Sequence, residues 1–126
     1  MRAVECSPQL AASFLASVLS KANPGGAMDM ATLLRGRCFA VLDEQENAVG
    51  AYVLRGQGAE VWVQAAAGRA DIDLCDLFDE LIAKHGAGFA SIGFRTYRRG
   101  LARKAVKRGY ELVGVEDGYI LRKNLQ

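Results

Sequence analysis

One histidine, His85, stands alone in the chain, and a single imidazole supplies neither a metal-ligand set nor the base of a nucleophilic triad. The three cysteines, Cys6, Cys38 and Cys75, are odd in number and widely spaced, with no Cys-x-x-Cys pair. They read as reduced thiols filling a core, not as a disulfide framework or a zinc site, and no metal is expected. No apolar run approaches the roughly 18 residues that span a bilayer, and no charged-then-apolar leader opens the sequence. A cytoplasmic location without a membrane partner is the expectation. Repeats, low-complexity tracts and linker-like stretches are also missing. Half of the residues are hydrophobic and a quarter charged over 126 residues, which suits one globular domain, 1–126, with a modest core.

The local order is legible from its punctuation. Ser7-Pro8 opens a helix, serine as N-cap and proline at the first helical position, where a missing N–H costs nothing. Leu10, Ala11, Phe14, Leu15, Val18 and Leu19 then fall on one face, and Asn23-Pro24-Gly25-Gly26 ends the run. A shorter helix is expected from Asp29 to Leu34, capped by Asp29. Strands follow at Cys38 to Leu42, Val49 to Leu54 and Glu60 to Ala66, joined by polar turns at Asp43 to Asn47 and Gly56-Gln57-Gly58. Such short connections make antiparallel neighbours.

After Gly68 the period changes to helical, with Leu74, Leu77, Phe78, Leu81 and Ile82 on one face and Asp71 and Asp73 in the first turn. Gly86 and Gly88 end that helix before a strand at Phe89 to Phe94. A basic link from Arg95 to Gly100 leads into a helix from Leu101 to Arg108, its Leu101, Ala102, Ala105 and Val106 expected to face inward. Gly109-Tyr110 stops it, because glycine takes the positive φ of a helix C′ position without strain. A hairpin closes the chain: Glu111 to Val115, a turn at Glu116-Asp117-Gly118, and Tyr119 to Lys123. The order is α-α-β-β-β-α-β-α-β-β, an α/β (α+β) domain whose mixed, mostly antiparallel sheet holds at least one parallel pair across a helical crossover.

Net charge is only +2, but it is unevenly placed. Asp71, Asp73, Asp76, Asp79 and Glu80 crowd one segment. Arg95, Arg98, Arg99, Arg103, Lys104, Lys107 and Arg108 crowd another. Two solvated helix faces lying near each other explain this pattern, and so does a basic surface that meets an anion. The interleaved aromatics of a nucleic-acid platform are missing, so nucleic acid is not the expected partner. Trp62 and Tyr52 alternate with aliphatic residues on strands and read as packing.

The order of elements resembles the GNAT superfamily of acyl-coenzyme A N-acyltransferases, from about Cys38 to Lys123. Lys107-Arg108-Gly109-Tyr110 looks like the close of the family's penultimate helix, commonly Lys-x-Gly-Phe. Ala83-Lys84-His85-Gly86 looks like the end of its coenzyme-binding helix. The resemblance implies acetyl-coenzyme A as cofactor, with its pantetheine arm between the strands Glu60–Ala66 and Phe89–Phe94 and its amides on the backbone around Val63 and Ala65. The pyrophosphate would sit at Gly68, Arg69 and Ala70, where a helix N-terminus offers N–H groups. Here the family's glycine-rich loop is reduced to one glycine and one arginine, with Asp71 and Asp73 beside it, a degenerate loop similar to that of small phage and prophage members.

The resemblance also implies roles for protons. The tyrosine that members often carry four residues before the closing glycine is replaced by Ala105, which has no proton to give. Tyr97 is the candidate replacement as general acid, and Glu60 at the start of the third strand is the candidate base. The implied activity is N-acetylation of an unknown small-molecule or peptide amine. The alternative is a non-catalytic GNAT-like protein that has lost the coenzyme site and binds a protein partner through the basic segment 95–108.

Overall fold

A computed structural model of the chain describes residues 2–21, 30–69, 73, 76, 83–85 and 88–125. Its strands are β1 (Arg2–Glu5), β2 (Arg37–Leu42), β3 (Ala48–Gln57), β4 (Glu60–Gly68), β5 (Ser91–Thr96), β6 (Glu111–Gly114) and β7 (Tyr119–Asn124). Its helices are α1 (Pro8–Lys21), α2 (Met30–Leu33), α3 (Ala83–His85) and α4 (Arg99–Lys107). The strands form one mixed sheet in the order β1-β2-β3-β4-β5-β7-β6. The chain has the α+β architecture with a mixed sheet that its sequence implies. The observed order gains one strand, β1, which lies against β2 in antiparallel register. Only Ala3 and Val4 separate the charged ends Arg2 and Glu5 of that strand, too short an apolar pattern to stand out.

Two compact units divide the chain: Met1–Arg55 with Gln64–Ile72, and Gly56–Val63 with Asp73–Gln126. In the first, the Ser7 hydroxyl accepts the Leu10 N–H at 3.2 Å, so α1 begins where the sequence places it. Ala11 and Leu15, four residues apart, are buried against Cys38, Ala51, Val53, Ala65 and Ala67, with Phe14 partly covered. Leu10, at the edge of this stripe, is exposed. On the opposite side of the strands Phe39 and Tyr52, register partners of β2 and β3, stack at 5.2 Å, and Tyr52 is wholly buried. The turn at Asp43 is held by its carboxylate, which accepts the N–H groups of Gln45 and Asn47 at 2.9 Å each. β3 runs to Gln57, so the next turn tightens to Gly58-Ala59.

In the second unit β4 and β5 are parallel, from Glu60 opposite Ser91 to Val63 opposite Phe94. β5 begins two residues later than its apolar run implies and ends at Thr96. β7 lies antiparallel to β5, and β6 to β7. α4 packs on β5, β6 and β7 through Ala102 and Ala105. Val106, expected inward, is 47% exposed, because the stripe that meets the strands is only two alanines wide. The helix ends as a Schellman motif: Gly109, at φ 98°, donates to the Val106 carbonyl at 3.1 Å and Tyr110 to the Ala105 carbonyl at 3.0 Å. Tyr110 is thereby turned edge-on to Phe94, at 5.3 Å. The hairpin turn follows its sequence, with Asp117 and Gly118 both at positive φ, 54° and 98°.

The helix expected after Gly68 is described only at Asp76 and Ala83–His85. Its expected inward residues Leu74, Leu77, Phe78, Leu81 and Ile82 lie outside the described residues, as do Asp71, Cys75, the close at Asn23 to Gly26, and the Asp29 cap. Among the described residues no helix is long and apolar enough to cross a membrane.

Candidate active site

Four of the candidate residues, Glu60, Val63, Ala65 and Gly68, lie on β4. Its burial alternates, Val61, Val63, Ala65 and Ala67 turned inward and Glu60, Trp62, Gln64 and Ala66 partly exposed. Val63 is the last residue of the parallel ladder with β5, while the strand itself continues to Gly68. Ala65 belongs to the core of the first unit. Arg69 follows Gly68 and donates its backbone N–H to the Val49 carbonyl at 3.1 Å. Ala70 lies outside the described residues.

Glu60, the candidate base, is tied down. Its carboxylate accepts from both Nε and Nη2 of Arg122 and from the Ser91 hydroxyl at 2.9 Å, and its side chain is 14% exposed. The Arg122 guanidinium holds it below the usual carboxylate range against the opposing effect of burial, with Ser91 adding to the depression. Arg122 is in turn pushed up by the same bond. Glu60 sits on β4 and Arg122 on β7, with β5 between them. They meet because β5 presents Gly93 there, opposite both Trp62 and Arg122. A Cβ at Gly93 would come within 3.0 Å of the Trp62 ring and 3.1 Å of the Glu60 carboxylate. Neither Arg122 nor Gly93 stands out in the sequence, since their roles depend on the register of three strands.

Tyr97, the candidate acid, follows the C-terminal end of β5. Its hydroxyl donates to the Asp117 carboxylate at 2.9 Å. Burial and then this carboxylate push its pKa up, so the phenol keeps its proton at neutral pH. Arg95 lies 3.9 Å from the other Asp117 oxygen, and the Tyr97 ring lies against Gly118. Asp117, read from the sequence only as a turn residue, is therefore the group that fixes Tyr97. Tyr97 and Glu60 share no bond partner among these contacts.

Two residues of the acidic segment, Asp73 and Asp76, lie near the basic one. Asp73 approaches Lys104 at 3.8 Å, and Asp76 pairs with Arg108 at 2.7 Å. The other Asp73 oxygen accepts the Asp76 N–H at 3.4 Å, the bond of a helix N-cap. Ala105, in the position where the resembled family often carries tyrosine, is fully buried on the inner face of α4. Among the described residues no group of His, Cys, Asp and Glu is placed to hold a metal.

No family model and no curated protein matches the chain. Solved structures do. A GNAT-family acetyltransferase from Staphylococcus aureus superposes at a TM-score of 0.65 with 13% identity and 99% of each chain covered. The fold is the GNAT fold. An aminoglycoside 6'-N-acetyltransferase from Enterococcus faecium gives 0.65 at 14% identity, over 100% of this chain and 98% of that one. N-acetylglutamate synthase from Neisseria gonorrhoeae, complexed with coenzyme A and N-acetyl-glutamate, gives 0.66 at 12% identity, over 100% of this chain and 36% of that one. Within the GNAT fold, the parallel β4–β5 pair and α4 closing on Gly109-Tyr110 are the parts that the sequence made readable.

Proposed function

We propose that the chain is an acetyl-coenzyme A-dependent N-acetyltransferase acting on a small-molecule amine. The observation that carries this reading is the parallel ladder that ends at Val63–Phe94 while β4 runs on to Gly68. Beyond Val63 the main chain of β4 is no longer engaged by that ladder, and an extended amide-bearing arm adds to such an edge as a further strand would. The main chain from Val63 to Ala65 would hold the pantetheine amides. Gly68, Arg69 and Ala70 would lie towards the phosphates. The charge of Asp73 is answered by Lys104 and by its own helix N–H, which fits an anion nearby better than a bare carboxylate would. GNAT-fold acetyltransferases of solved structure, one of them holding coenzyme A, support the same reading.

When bound, the cofactor supplies a thioester-activated acetyl group. The chain's own part is to hold the arm and to move two protons. Tyr97 keeps its phenolic proton at neutral pH and would be the proton donor to the leaving group, giving up its bond to Asp117 to do so. Glu60 accepts three hydrogen bonds from Arg122 and Ser91, so it would fix β4, β5 and β7 while water would take the proton of the amine. A non-catalytic partner-binding role for segment 95–108 is less well supported, because Lys104 and Arg108 are turned towards Asp73 and Asp76.

Calorimetry and thermal unfolding with acetyl-coenzyme A test the proposal. A dissociation constant of about 100 μM at about 1 mM ligand raises stability by about 1.4 kcal/mol. Thiol release with a panel of aminoglycosides, amino acids and lysine peptides then reads turnover. The absence of both binding heat and a thermal shift at that concentration would overturn the assignment.

A further inference from the structure

The register of β1 and β2 continues one residue past Glu5 opposite Phe39: Cys6 N–H donates to the Cys38 carbonyl at 2.9 Å. The two cysteines are thus directly opposite on neighbouring antiparallel strands. Opposite residues send their side chains to the same face, and both thiols pack in one place, Cys38 within the core around Ala11 and Leu15 and Cys6 against it. A hydrogen-bonded antiparallel pair holds its Cα atoms about 5.5 Å apart, inside the range that a disulfide spans. We infer that Cys6 and Cys38 form a reversible cross-strand disulfide site that a low-molecular-weight disulfide, such as oxidised glutathione, closes.

The exposures order the steps. Cys38 is 4% exposed, its Sγ within 3.9 Å of the Leu34 carbonyl, whereas Cys6 is only partly buried. The Cys6 thiolate attacks one sulfur of glutathione disulfide, forming a mixed disulfide and releasing one glutathione, which takes up the Cys6 proton. The Cys38 sulfur then attacks Cys6 Sγ, losing its own proton as the second glutathione leaves. Two protein thiols are oxidised and one external disulfide is reduced. Burial pushes both thiols up, the nearby Glu5 carboxylate adding to it, so closure is slow at neutral pH.

The test incubates the intact chain with excess oxidised glutathione, quenches with alkylating agent and maps tryptic peptides by mass. Cleavage after Arg2, Lys21, Arg37 and Arg55 puts Cys6 in peptide 3–21 and Cys38 in peptide 38–55, separate from the peptide that holds Cys75. The expected result is a 3–21/38–55 cross-link, a fall from three titratable thiols to one, and full recovery with dithiothreitol. Cys6→Ser, at a partly exposed position, should abolish the link. Stable glutathione adducts at Cys6 without closure, or a dominant link through Cys75, would overturn the inference.

Discussion

Arg122→Met isolates what Glu60 does. Methionine keeps much of the stem of Arg122 and removes the guanidinium, leaving a carboxylate of 14% exposure with Ser91 as its remaining partner. Hydrogen bonds to charged groups are worth roughly 1.5–3 kcal/mol, and a half-exposed arginine places this pair at the lower end, about 2 kcal/mol. For a chain of this size that corresponds to a fall in the unfolding midpoint of about 6–12 °C. The pH dependence has a definite sign. The folded-state pKa of Glu60 is depressed, so the pair's contribution is fully present above the unfolded carboxylate value and is lost as pH falls through the folded one. The gap between wild type and variant should therefore be widest at neutral pH and close in acid. Chemical denaturation at pH 7 and near pH 3, with Glu60→Gln completing a double-mutant cycle, measures it. A loss under about 0.5 kcal/mol at pH 7, or one of equal size at both pH values, would refute the account. If Glu60→Gln instead spared stability and abolished turnover, Glu60 would be the base after all.

Tyr97→Phe should lower kcat at least about tenfold with little change in the affinity for acetyl-coenzyme A, as loss of a proton donor does; an unchanged kcat removes Tyr97 from the chemistry. Asp73→Asn keeps an oxygen for the Asp76 N–H and removes the charge, so acetyl-coenzyme A should bind several-fold tighter by calorimetry, and unchanged affinity would place the phosphates elsewhere. Leu121→Ala, at a fully buried position opposite Phe94, should cost about 2–5 kcal/mol in denaturant unfolding, and a loss under about 1 kcal/mol would contradict the packing. Gly93→Val should cost about 1–3 kcal/mol by forcing a branched side chain against Trp62 and Glu60, and a neutral result would show that the ring moves freely aside.

The elements with strong local punctuation were legible in the sequence. Ser7-Pro8, Lys107-Arg108-Gly109-Tyr110 and Asp117-Gly118 each specify a boundary through bonds between near neighbours, and each stands where it was read. What escaped depends on partners far along the chain. β1 owes its existence to β2, Val106 is exposed because α4 meets the strands by a narrow stripe, and Glu60 is engaged by an arginine 62 residues away. Fold was readable from punctuation, whereas the state of the candidate acid and base was not, because Asp117 and Arg122 become their partners only through strand register.

Lys104 already carries a counter-ion of its own. Asp73 stands 3.8 Å from it, fixed at the start of a helix, so an anion arriving at Lys104 exchanges with a tethered carboxylate and not with mobile salt. Salt dependence of binding comes from mobile ions returned to solution, and a tethered ion returns none. Any coenzyme phosphate that engages Lys104 should therefore show a shallower salt dependence than the number of basic residues in α4 implies, and Asp73→Asn should steepen it. The same carboxylate that weakens an anion's attraction to this corner would make that attraction less sensitive to ionic strength.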